Sequence, residues 1–436
     1  MNTEPDGFLG AVLAAEGIKG MKILINGPGG CRSRTQILLK ELIHEYSKED
    51  PKCCSSKYFS RQSKLPCTYL NSNDMIMGSA DKISDGLSSI NSVSDSDTIM
   101  VDTLGASVQV TDNMNAIRRA HAEDKTITAS RYVSSMSIYK GFDDTITRIV
   151  EHLCKAEEKH KIPQTVNILG YNISDSCWEY GRKEIAKMLE SIGISVTAFI
   201  GCGCTKEELK RSTSSELNIL IHPEFSMKTA EYYSANFDIP YMIPSFGSPI
   251  GYPSICSFIQ EVSSRFGTDP TTALESIMSE KSDVDRILMN SEKMLGGFRG
   301  CGCSITGIPS DVLPIIRWMH DHLSIVPEYV KILGEDESPM TEHLMKFLQE
   351  IDCMDALDAD PSEKYELIFT DGMSAEIIKR NDGTSSCVQT RIPYSFGTSL
   401  VNRSLIGTYG CRYILDEIIN SRGMFYCGQP TMVDFR

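Results

Sequence analysis

Met21-Lys22-Ile23-Leu24-Ile25-Asn26-Gly27-Pro28-Gly29-Gly30-Cys31-Arg32-Ser33-Arg34-Thr35 decides the fold of the chain. An apolar run ends in a glycine-rich turn, and a helical pattern follows at once. The turn places one cysteine where the helix should begin. Backbone N–H groups at a helix start are unpaired and carry partial positive charge. A thiol there tends toward the thiolate, the form that attacks electrophiles and binds metals. A P-loop would need a lysine after its glycines, and none follows Gly30. The dinucleotide fingerprint would need a third glycine where Arg32 stands. A small buried cysteine in an ordinary strand-to-helix turn is the other reading of the same residues.

Outward from this stretch the composition is that of a soluble globular protein, with 41% hydrophobic and 23% charged residues. A length of 436 residues predicts two or three domains. Lys and Arg total 43 against 58 Asp and Glu, a formal charge of -15. That balance argues against a general binder of nucleic acid or of anionic membranes. No apolar run approaches the roughly 20 residues of a membrane span. Met1 to Gly7 lacks a basic region followed by an apolar core, so no signal peptide is expected. Fifteen cysteines, odd in number and scattered, do not read as a disulfide framework. A cytoplasmic, reducing and anaerobic setting with iron–sulfur chemistry suits them.

In chain order, residues 8–20 read as a short helix, 21–26 as a strand and 33–47 as a helix with Ile37, Leu38, Leu42 and Ile43 on one face. Residues 48–66 form a polar excursion carrying Cys53-Cys54. A strand-like segment over 67–77, a helix to Ile90 and a strand over 98–101 follow, then a polar segment. From Pro163 the pattern alternates strand and helix. Strands fall at 165–169, 195–200, 217–221 and 239–242, and helices at 177–191, after the capping box Thr205…Glu208, and at 226–236. Residues 256–296 read as helical. The last third carries strands near 301–306, 330–333, 367–369 and 388–392, helices at 309–323 and 408–420, and a polar tail. Three similar α/β units in series are expected, divided as 1–162, 163–285 and 286–436. Ligands in such sheets gather at the carboxyl ends of strands.

Several other groups stand out. Cys202 and Cys204 lie in a loop at a strand's carboxyl end and are candidate metal ligands. Cys301 and Cys303 share one face of a strand and read as buried thiols. His222 follows the third strand of the middle unit and is the candidate proton donor. His320 and His322, two apart on a helix with Trp318, read as surface.

At this point the residues resemble a known family: the larger component of nitrogenase and of nitrogenase-like reductases, and its beta-type subunits most of all. Four segments carry the likeness over nearly the whole chain. Leu9-Gly10-Ala11-Val12-Leu13 precedes Gly27-Pro28-Gly29-Gly30-Cys31, as a helix precedes the family's Gly-x-x-Gly-Cys cluster loop. Met77-Gly78 with Lys82 and Leu87 is like the family's Phe-Gly-Gly segment. Residues 167–172 through 236–241 are similar to its middle domain. Ile392-Pro393-Tyr394, then Ile406-Gly407-Thr408-Tyr409-Gly410 and a last helix, look like its closing pattern.

The resemblance implies an α/β protein of three Rossmann-like domains with parallel sheets flanked by helices. It implies an alpha-type partner in a heterodimer or heterotetramer, an ATP-dependent iron–sulfur reductase that supplies electrons, and an interface cluster of the [4Fe-4S] kind shared with the partner. Cys31 is the implied cluster ligand, with Gly29 and Gly30 beside it. Family members with a full set bring three cysteines. Asp6 stands where the first would be, and Asp102 or Gly105 where the third would be. Beta-type subunits with a single protein ligand are known in the family, the alpha partner supplying three, and a cubane needs four. Asp6 and Cys67 are the further candidate ligands. Pro223 stands where the alpha subunit's cofactor cysteine would fall, so the chain does not look like a holder of the nitrogenase cofactor. Two functions are left: an electron-transferring subunit of a nitrogenase-like oxidoreductase, or a scaffold for metallocluster assembly without turnover of its own.

Overall fold

The computed structural model describes residues 5–42, 65–93, 96–103, 106, 110–154, 160–295, 301–334, 338–360, 365–382, 386–391 and 401–428. Cys53, Cys54, Gly105 and the segment 392–394 lie outside the described residues. The strands in chain order are β1 (Ile18–Lys19), β2 (Lys22–Asn26), β3 (Thr98–Asp102), β4 (Thr126–Thr128), β5 (Thr165–Leu169), β6 (Ser195–Phe199), β7 (Cys204–Thr205), β8 (Leu217–Leu220), β9 (Tyr241–Met242), β10 (Gly302–Gly307), β11 (Val326–Ile332), β12 (Leu367–Asp371) and β13 (Ser386–Arg391). Every pairing between them is parallel, and helices alternate with them along the chain. This is the α/β architecture with parallel sheets flanked by helices that the sequence pattern predicts.

The chain forms two compact units. One comprises Met1–Lys159, Ile200–Thr213 and Met227–Asp238, the other His160–Phe199, Ser214–Ser226 and Ile239–Arg436.

The first unit holds the sheet β2-β3-β4 and the short pair β1-β7. The helix Gly7–Glu16 is buried along its length except at Glu16. Gly7 and Gly10 face backbone carbonyls of Val133 and Ile138, and Gly141 faces Gly7. A side chain at any of the three would meet backbone, so the helices Gly7–Glu16 and Ile138–Leu153 approach as only glycine allows. Residues 67–77, expected as strand, instead make a single bridge from Cys67 to Ile25 and then a helix, Ser72–Met77. Asn71 and Asp74 form a capping box there, so turn chemistry overrides the apolar run. The helices Val110–Arg119 and Ile138–Leu153 were not foreseen in the polar stretch. The second has a mixed face in which Asp143, Asp144, Thr145 and Thr147 are buried, which hides its period.

The second unit holds two sheets, ordered β6-β5-β8-β9 and β11-β10-β12-β13. The strand order of the first reverses between β5 and β8, a topological switch point. Asn167 and Asn218 are register partners on these two strands and join by a buried amide bond of 2.8 Å. The expected single helix over 256–296 is two, Tyr252–Phe266 and Thr271–Leu295, separated at Gly267 in the left-handed region. The helix Gly407–Gly428 runs into the stretch expected as tail. The surface reading of the helix Pro309–Leu323 is corrected: Trp318 is fully buried and His322 lies 2.9 Å from Asp285.

Candidate functional site

Each unit carries a group of polar and reactive side chains at the carboxyl ends of its strands. In the first unit it is built on β2 and β3. The helix after β2 begins at Gly29, earlier than its apolar period suggests, so Cys31 sits in its first turn. Cys31 N–H donates to the Pro28 carbonyl at 3.2 Å, and its carbonyl accepts from Thr35 Oγ1 at 2.9 Å. The thiol is half-buried. Gly27 is required by packing, because a Cβ there would overlap Thr103. At Gly29 an added Cβ would press on the Tyr69 ring at 2.8 Å, whereas at Gly30 it would meet open space.

The segment Pro66–Leu70 runs alongside this loop. Ile25 N–H donates to the Pro66 carbonyl, Thr68 N–H to Ile25 O and Leu70 N–H to Gly27 O. Cys67 is thereby set beside the loop, with Sγ 3.2 Å from Gly27 O. Burial pushes the Cys67 thiol up to about 11; Arg32 pulls it down, and Cys31 is close enough to push it further up. The structure thus brings Cys31 and Cys67 to one loop edge. Asp6 lies at the start of the helix Gly7–Glu16, where its carboxylate accepts from Leu9 N–H at 3.2 Å and caps it. Cys202 and Cys204 are fully buried in the first unit, with Cys204 in the strand paired to β1, rather than on an open loop. Among the described residues no three His, Cys, Asp or Glu side chains converge so as to hold a metal ion.

Beneath the loop lies a network that spacing could not reveal. Asn26 and Asp102 are register partners at the ends of β2 and β3. Asp102 accepts from Asn26 Nδ2 at 2.8 Å and from Asn113 Nδ2 at 2.7 Å. All three side chains are buried.

In the second unit His222 follows β8 at the switch point and is 2% exposed. Its Nε2 lies 3.1 Å from Asp311 Oδ1, which also accepts from Ser248 Oγ at 2.7 Å. Its Nδ1 lies 3.6 Å from Asp175 Oδ1 in the loop after β5, and has no hydrogen-bond partner among the described residues. Gly170, with φ +83°, lets that loop pass directly against the His222 backbone. Glu224 accepts from Ser310 N–H at 3.1 Å, Ser310 Oγ at 2.8 Å and Ser338 Oγ at 2.6 Å. Burial alone lowers the imidazole pKa, but Asp311, Asp175 and Glu224 outweigh it and push it up to about 10. Burial pushes Asp175 up to about 7, against the pull of His222. The arrangement can hold a proton on a buried imidazolium between two carboxylates. Asp175 and Asp311 were missed by sequence reasoning, since Asp311 lies 89 residues from His222 and no local pattern links them.

A family model described as "Nitrogenase component 1 type Oxidoreductase" matches residues 7–422. The B-type subunit of light-independent protochlorophyllide reductase from Heliobacterium modesticaldum is 26% identical over 220 residues, 48% of this chain and 41% of that protein. Its namesake in Methylobacterium radiotolerans is 29% identical over 92 residues, 21% of this chain and 17% of that protein. The chain thus spans less than half the length of the curated relatives it matches. A solved structure described as "Nitrogenase Cp1 at pH 6.5" superposes with a TM-score of 0.75 at 16% identity, covering 100% of this chain and 96% of that one, which is a likeness of fold. Among the described residues no helix is long and apolar enough to cross a membrane.

Proposed function

The chain belongs to the nitrogenase component 1 type oxidoreductase family, and on that premise we propose that it is the beta-type subunit of a two-component reductase. An alpha-type subunit would share an iron–sulfur cluster with it, and an ATP-dependent iron–sulfur reductase would supply the electrons. The observation that carries this reading is the pair Cys31 and Cys67 on one half-exposed loop edge. A cubane takes four protein ligands, most often thiolates. Two partly exposed thiols beside Gly30, with open space next to it, fit a share of such a group. Cys31 would be the first ligand and Cys67 the second, the rest coming from the partner. When bound, the cluster would store electrons one at a time at low potential.

The chain's own residues would do the rest. The Gly27–Cys31 turn orients the thiols. In the second unit His222 would hold a proton at Nε2 against Asp311. The relatives' names favour a tetrapyrrole as the substrate class. The partition 1–162, 163–285 and 286–436 belongs to the same proposal: each range holds one parallel sheet of three or four strands, while the short pair β1-β7 joins the first range to the second.

The test is anaerobic reconstitution of the full chain, in complex with its alpha-type partner, with iron and sulfide. Wild type should bind iron and give a reducible cluster signal, and Cys31→Ser should lose both while its circular dichroism is unchanged. Unaltered iron and spectra in Cys31→Ser would overturn the ligand assignment. Quantitative transfer of the cluster to an acceptor protein would favour the scaffold function instead.

A further inference from the structure

We infer that Asp102 is the positioning residue of the Cys31 loop: an acceptor-only group that sets the direction of a buried hydrogen-bond chain ending on the Gly27 peptide. The inference rests on the proposed ligand role of Cys31 and explains what holds that ligand in place.

The chain of bonds is continuous. Asn113 Nδ2, from the helix Val110–Arg119, donates to Asp102 Oδ2. Asn26 Nδ2 donates to Asp102 Oδ1. Asn26 Oδ1 accepts from Thr68 Oγ1 at 3.0 Å. Thr68 Oγ1 in turn accepts from Gly27 N–H at 3.0 Å. On its other side the Gly27 carbonyl accepts from Leu70 N–H at 3.0 Å and from Cys67 Sγ at 3.2 Å.

Amides and hydroxyls can each donate or accept, so a chain made only of them could run either way. An ionised carboxylate can only accept. Asp102 therefore turns both amide NH2 groups toward itself. Asn26 is left with its carbonyl facing Thr68. Thr68 must direct its proton there and keeps a lone pair for Gly27 N–H. Gly27 is thereby held at both its N–H and its carbonyl, with Cys67 hanging from the carbonyl and Cys31 four residues on. Asn26 is fully buried, and Asn113 and Thr68 nearly so, so water is no ready substitute for a lost partner.

The test measures native-state alkylation of Cys31 and Cys67 by iodoacetamide in the full-length, metal-free chain, site by site. Asp102→Asn removes the acceptor-only group: the Asn113 and Asn26 amides are then free to turn, and Thr68 is no longer held to one acceptor. Asn26→Asp sets two carboxylates face to face. Either should speed alkylation about fivefold, the factor expected when one buried hydrogen bond of ordinary strength no longer opposes local opening. The double variant Asn26→Asp/Asp102→Asn moves the acceptor-only group one place along. The amide at position 102 then accepts from Asn113 and donates to position 26, which accepts from Thr68, so every bond is restored. Rates in the double variant should return to within about twofold of wild type, a rescue that a merely structural aspartate would not permit. After reconstitution, the cluster's electron paramagnetic resonance signal should change in the single variants and recover in the double.

Unchanged rates in Asp102→Asn, or a double variant no better than either single, overturn the inference. Neither result depends on iron. Failure of the cluster assignment would show separately, as iron retained by Cys31→Ser.

Discussion

Replacing His222 by glutamine removes the cation that faces Asp175 and Asp311, and the cost can be worked from the geometry. A rise of the imidazole pKa from 6.5 to about 10 corresponds to about 5 kcal/mol in favour of the charged ring. The rise of Asp175 from 3.8 to about 7 corresponds to about 4 kcal/mol against its carboxylate. Both native values lie above the unfolded ones, so both contributions are greatest in acid. That of His222 is complete below pH 6.5 and is lost as pH rises through about 10. That of Asp175 is complete below pH 3.8 and is lost through about 7. Just above neutrality the gain from the charged ring opposes the cost of the buried Asp175 carboxylate, as is usual for buried ion sets.

Glutamine keeps a donor for Asp311 but removes the gain and leaves the cost. His222→Gln should therefore lose about 3–5 kcal/mol at neutral pH, and the difference from wild type should shrink toward pH 10 as the wild-type ring gives up its own proton. The assay is urea unfolding followed by tryptophan fluorescence. The two tryptophans, Trp178 and Trp318, both lie in the second unit, so the signal reports the unit that holds His222. A loss below about 0.5 kcal/mol, or one that stays constant up to pH 10, would refute the picture of a charged, carboxylate-clamped imidazole.

Two more perturbations address the first unit. Asp143 caps the helix Met227–Phe237 from a neighbouring helix, accepting from Lys228 N–H at 2.7 Å, Thr229 N–H at 2.9 Å and Thr229 Oγ1 at 2.6 Å. Asp143→Ala should cost about 2–3 kcal/mol in urea unfolding followed by circular dichroism. Burial pushes Asp143 up to about 6, so its contribution falls as pH rises from 3.8 through that value, and Asp143→Asn should abolish this slope. Cys67, held up to about 11 by burial, should alkylate slowly near pH 8 in the metal-free chain and speed up about tenfold per pH unit. Arg32→Gln should slow it further; labelling as fast as that of an unfolded control would contradict the burial argument.

Local order was readable in the sequence wherever one interaction range decided it. Period-two apolar runs and glycine turns marked β5, β8 and the loop to Cys31, and the Thr205…Glu208 capping box formed as its spacing predicts. The helix Ile138–Leu153 escaped because its buried face carries two aspartates, one of which, Asp143, caps another helix at residues 85 and 86 places away. The run at 67–77 misled because Asn71 and Asp74 offer the backbone a better local partner than a sheet would.

By itself, then, the sequence determined the α/β alternation, the family and the cysteine at the head of the helix after β2, because each depends on residues a few places apart. Only the tertiary structure decided that Cys67 lies beside that cysteine, that Asp102 governs the loop beneath it, and that His222 is clamped by Asp175 and Asp311. The physical reason is that buried polar groups must find partners wherever the fold provides them, and those partners lie tens of residues away, beyond any local pattern.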